Sequence, residues 1–171
     1  MGIALLTLAL VGTAVFTASL LLGYVIPEHH LLRQHFMLAL GSTFLLVMAH
    51  SFIMFFLIAT GVEMKEKEKA AGRGDSFRRR TIALKSRIFP LLTGALLLVI
   101  ANFILGAAAH TRALPAWVHE ATAWATLLTS AAAFVRAWLV LGDNNRLIAE
   151  AATFKEDSAG ARTGSDIPVK N

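Results

Sequence analysis

QHFMLALGSTFLLVMAHSFIMFFLIATGV, residues 34–62, contains no Asp, Glu, Lys or Arg. At a rise of about 1.5 Å per residue, a helix of this stretch is roughly 40 Å long, enough to cross a hydrocarbon core of about 30 Å with some tilt. The stretch therefore reads as a membrane helix. It holds His35 at its mouth and His50 near its middle. An imidazole at the centre of a bilayer is costly unless it is neutral and hydrogen-bonded, so His50 is expected to face protein, water or a ligand rather than lipid. At 100° per residue His35, Ser42 and His50 fall within about 80° of one another, a polar stripe on one face. Phe36, Leu40, Phe44, Val47 and Leu57 are expected on the other face.

Working outward, three more segments of similar character appear. The chain has 171 residues, of which 56% are hydrophobic and only 16% charged, which places it in the membrane class. Four transmembrane helices are expected at about residues 3–26, 35–63, 87–109 and 115–141. Pro27 stops the first, and the polar run 28–35 leads into the second. Pro90 is expected in the first turn of the third, where a missing N–H costs little. Gly142 is expected to end or bend the fourth, with Asp143 capping a short amphipathic helix on the membrane surface. Polar residues 155–171 are expected to form a flexible tail. The predicted fold is thus an all-α integral membrane four-helix bundle of two antiparallel hairpins, residues 1–142, followed by a cytoplasmic helix and tail, residues 143–171.

From Glu63 to Ile88 there are nine Lys or Arg and four Asp or Glu, whereas the other two connections hold one Lys or Arg each, Arg33 and Arg112. By the positive-inside rule this segment is cytoplasmic, so both termini are expected in the cytoplasm of a bacterial inner membrane protein. The net charge of +5 is concentrated between apolar segments. Runs such as Arg78-Arg79-Arg80 therefore read as orientation and anionic-lipid signals, not as a nucleic-acid site.

The chain has no cysteine, which excludes disulfides, thiolate-bound zinc, iron–sulfur clusters and covalently attached c-type haem. Its chemistry must come from His, Met, hydroxyl and carboxyl groups. The predicted topology gathers His29, His30, His35, His110 and His119 at the outer end, beside Glu28 and Glu120. Neutral imidazole on helices is how membrane cytochromes hold haem, so His35 paired with His110 or His119 is the candidate ligand set for one haem b. A quinone is the alternative cofactor for His35, His50, His110 and His119, and no metal site is assigned. Inside the membrane, Asn102, Thr126, Thr129 and Ser130 are the expected hydrogen-bond partners of His50, with Ser42 on the same stripe.

With no soluble domain of useful size, the expected role is a small membrane subunit of a larger bacterial energy-converting electron-transfer complex. It would anchor or line a quinone- or haem-bearing region, with lipid and other membrane subunits as its partners. A self-contained transporter or channel, and a purely structural accessory subunit, are the competing expectations.

Overall fold

In the computed structural model, residues 2–25, 29–70 and 76–164 are described, with the side chains of 29–30 and 154–164 excepted. Four helices account for nearly all of them: α1 Gly2–Tyr24, α2 His29–Ala70, α3 Ser76–His110 and α4 Ala116–Gly164. Each contains a segment long and apolar enough to cross a membrane. The helices pack in the cyclic order α1–α2–α3–α4, and α2 also touches α4 across the diagonal. The chain is an all-α, multi-pass four-helix bundle.

Cross-helix contacts fix the antiparallel register. Ser19 of α1 meets His35 of α2, Asn102 of α3 meets Thr122 of α4, and Tyr24 at the end of α1 meets Glu120 at the start of α4. The α3–α4 turn closes as a helix C-cap. Ala113 N–H bonds the Ala108 carbonyl at 2.9 Å, Arg112 N–H bonds the Ala109 carbonyl at 3.1 Å, and Arg112 takes a left-handed φ of 60°.

The interior is built from large side chains on α2 and α3 against small ones on α4. Ile53, Leu57, Ile88 and Leu92 pack with Ala95, Ala133 and Ala137 in one cluster, and Phe16, Leu20, Leu46, Val99 and Ala123 form a second nearer the end that carries the α3–α4 turn, labelled the outer end from the expected topology. Lipid is as apolar as these side chains, so close backbone approach and van der Waals packing hold the helices together. At Gly12 a Cβ would lie 3.2 Å from the Leu45 Cβ, showing how tightly α1 sits on α2. Phe44, Phe55, Leu97, Ile104 and Leu128 are exposed. They form the lipid-facing surface.

Three local expectations are corrected. Leu57 is buried, at 1% exposure, because it lies two turns from His50 and therefore on the same face. Pro90 is inside α3 rather than in its first turn. The helix starts earlier because Glu68 caps it: its carboxylate accepts bonds from the Ser76 hydroxyl at 3.2 Å, Phe77 N–H at 2.5 Å and Arg78 N–H at 3.0 Å. Pro90 is exposed, so its ring projects away from the packed face.

The third correction concerns α4, which passes through Gly142 without a break. The inward face set by Ala133, Ala137 and Val140 continues at helical spacing as Leu141, Asn144, Leu147 and Ala151, all buried. With its apolar face already covered, this segment is a continuation of the bundle and not a helix lying on the bilayer. At about 1.5 Å per residue, the 23 residues of α1 match a membrane thickness, while α2, α3 and α4 are much longer. The N-terminal end of α1 sits level with Leu141 and Asn145. Beyond that level α2, α3 and α4 continue together as a three-helix projection on the side of the basic segment. Of residues 155–171, expected as a flexible tail, 155–164 are helical as the end of α4, and 165–171 lie outside the described residues.

Candidate site at the outer end of the bundle

His35 sits one and a half turns into α2, facing α1. Its Nδ1–H donates to the Ser19 carbonyl at 2.9 Å, and the Ser19 hydroxyl returns a bond to the His35 carbonyl at 3.3 Å. This reciprocal pair fixes the ring and leaves its Nε2 as the unprotonated nitrogen in the neutral form. Gly23 forms the floor of the ring's seat, where even a Cβ would make only an ordinary contact, 3.4 Å from the His35 Cε1.

His119 occupies the mirrored position on α4, facing α3. A Cβ at Gly106 would come within 2.9 Å of its Cε1. A larger residue at 106 would force this imidazole to shift. The rings of His35 and His119 meet with centroids 6.5 Å apart and planes at 83°. His119 Nδ1 is buried and makes no hydrogen bond of good geometry with the described residues, although the Asn102 carbonyl lies beside the ring. A buried polar atom left without a partner is costly, and in a native fold it marks a position that a ligand or water completes.

A belt of polar aromatic contacts closes this end. Trp124 Nε1–H donates to the Tyr24 hydroxyl at 2.9 Å, and that hydroxyl donates to Glu120 Oε1 at 2.5 Å. The belt joins α1 to α4, the neighbouring pair with the least mutual contact. One turn deeper, Thr122 donates to Asn102 Oδ1 at 3.0 Å and Thr126 to the Leu98 carbonyl at 3.2 Å, joining α3 to α4.

Of the residues singled out from the sequence, the structure brings His35 and His119 together and leaves His110 exposed at the end of α3. Glu28 lies outside the described residues, as do the side chains of His29 and His30. His50 is only 3% exposed, yet its Nδ1–H donates to the Leu46 carbonyl of its own helix at 2.6 Å. The bonds expected from Asn102, Thr126, Thr129 or Ser130 are not made. Asn102 and Thr126 are engaged within the α3–α4 hairpin, and the Ser130 hydroxyl is buried without a partner among the described residues. Ser42 donates to the Ala39 carbonyl of its own helix. Thr129 is half-buried. No group of three or more metal-ligating side chains occurs among the described residues.

Sequence reasoning missed Glu68, Asn144 and the two glycine seats. Register would have found the seats: in an α3–α4 hairpin turning near Arg112, position 106 faces position 119 as 102 faces 122. Glu68 and Asn144 carry no such signal, because each acts across a distance set only by the folded helix ends. No protein family profile, curated protein or solved structure matches the chain.

Proposed function

We propose that the chain is a small membrane subunit of a larger energy-converting electron-transfer assembly in a bacterial inner membrane, and that its His35–His119 end receives the head group of a quinol. One observation carries this reading: the buried, unpartnered Nδ1 of His119 beside a second imidazole whose tautomer is already fixed. A quinol hydroxyl donates to that nitrogen. On oxidation the quinol loses two protons and two electrons. The imidazole pair accepts the two protons one after the other and passes each to the outer surface, where Glu120 and Tyr24 lie. The electrons go to a haem or iron–sulfur centre of a partner subunit.

A single haem b between the same two residues is the second reading. Two imidazoles sharing one metal ion at about 2.0 Å place their centroids about 6.4 Å apart, close to the 6.5 Å between His35 and His119. The ring directions fit it poorly. The Cε1 edge of His35 is turned to Gly23 on α1 and that of His119 to Gly106 on α3, so both rings would have to rotate to face a common iron. A quinol oxygen requires only one nitrogen, and the Nδ1 of His119 is without a hydrogen bond among the described residues.

Purification of the intact protein from its native membrane, followed by an absorbance spectrum and solvent extraction of bound quinone from the same sample, separates these readings. Bound quinone without a Soret band is expected. A stoichiometric Soret band would favour haem, and the absence of both would refute a cofactor-bearing outer end.

A further inference from the structure

At the opposite end, where α3 and α4 pass from the apolar part of the bundle into the projecting part, they enclose a cleft of about 350 Å³. Its charged lining is Arg80, Arg87, Arg146, Asp143 and Glu150. Arg80 is already committed, donating two bonds to Glu150 at 2.5 and 3.1 Å and so forming a rigid wall across the two helices. Arg87 and Arg146 are exposed, and neither forms an ion pair with another described residue. Two uncommitted guanidinium groups therefore face one cleft from two different helices.

The charge of the lining specifies the ligand. Three arginines against two carboxylates leave a balance of +1, which a monoanionic phosphodiester neutralises and a dianionic inorganic phosphate overshoots. Guanidinium is the side chain best suited to phosphate, because its planar fork donates two parallel bonds. The surroundings supply the rest of a lipid site. On α4 the face that bears Asp143 continues into the membrane at four-residue spacing as Leu139 and Val135, which are 57% and 59% exposed. Acyl chains lying along those side chains carry their phosphate to the level of the cleft.

We propose that the α3–α4 cleft binds the phosphodiester head group of an anionic phospholipid from the leaflet on the basic side, with Arg87 and Arg146 meeting the phosphate. The site is independent of the His35–His119 end. It gives the basic start of α3 a defined lipid contact in place of diffuse attraction. It also braces α4 where it leaves the membrane, at the point where Gly142 would otherwise weaken the helix.

The test uses the full-length protein in neutral detergent, with phosphatidylglycerol, phosphatidylcholine and inorganic phosphate as probes and binding read by native mass spectrometry and thermal shift. Phosphatidylglycerol should bind and stabilise, while the other two should not. The Arg87→Gln/Arg146→Gln variant should bind phosphatidylglycerol at least about tenfold more weakly. A charge-matched Lys65→Gln/Arg79→Gln variant, altered at exposed positions outside the cleft, should bind as the wild type does. Asp143→Asn should bind more tightly. Equal losses in the two double variants would show diffuse attraction and overturn the site. A matching response to phosphatidylcholine, or to inorganic phosphate, would overturn its anionic-lipid character, as would weaker binding by Asp143→Asn.

Discussion

The two ends of this bundle are held by different means. At the projecting end, polar groups act as structural ties: Glu68 caps α3, Thr60 donates to Asn144 Oδ1 at 3.2 Å across the diagonal, and Arg80 is paired with Glu150. At the outer end, two imidazoles rest on glycines of neighbouring helices, and one buried nitrogen is left without a partner. Each end also keeps one buried nitrogen without a partner among the described residues, Asn144 Nδ2 at the projecting end and His119 Nδ1 at the outer end; the paired carboxylates stabilise the fold, whereas each unsatisfied nitrogen costs it slightly. The difference separates an end held by charged ties from one held by packed imidazoles, to which the proposed function assigns binding.

The comparison breaks most readily at Glu68. It is 6% exposed and its carboxylate meets three donors at the start of α3. Glu68→Ala should cost about 2–3 kcal/mol in reversible unfolding, with Glu68→Gln losing roughly half as much. A loss below about 0.5 kcal/mol would mean that the cap contributes little to the projecting end.

At the outer end the corresponding change is Gly106→Ala, whose Cβ would press on His119 Cε1 at 2.9 Å. The ring must shift, and the expected cost is about 1 kcal/mol. Gly94→Ala on the same helix meets no atom within 4 Å and should be neutral or slightly stabilising. Equal effects at the two glycines would remove the claim that Gly106 is a seat for the imidazole.

Smallest is Thr60→Val, which removes the bond to Asn144 and should cost about 0.6 kcal/mol, the usual size of a single inter-helix bond in a membrane protein. A cost of several kcal/mol would instead make Asn144 a central element of the fold.

Much of the architecture was legible because lipid leaves the chain few choices. Four long apolar runs must be helices, since a lipid-exposed backbone has no other way to satisfy its N–H and C=O groups. The ends of the helices were less legible. Pro90 and Gly142 both read as boundaries, and both are interior, because a cap from Glu68 and a continuous buried face through Leu147 outweigh a local helix penalty of about 1 kcal/mol for glycine and a larger one for proline. His50 shows a different limit. Its depth in the membrane could be read from the sequence, but its partner could not: the imidazole satisfies itself on the Leu46 carbonyl one turn back, a local bond that helical periodicity does not distinguish from a bond to another helix. The nearness of His35 to His119 follows from hairpin register, and the open nitrogen does not, because it depends on which way each ring is turned.

The central claim is that the open nitrogen of His119 is a ligand-binding group, and the most direct measurement is a titration of a short-chain quinol into wild-type, His119→Leu and His50→Leu proteins in nanodiscs. The account predicts saturable binding by the wild type and by His50→Leu, and at least about tenfold weaker binding by His119→Leu at an unchanged or slightly higher unfolding temperature. Equal affinity in wild type and His119→Leu would contradict it.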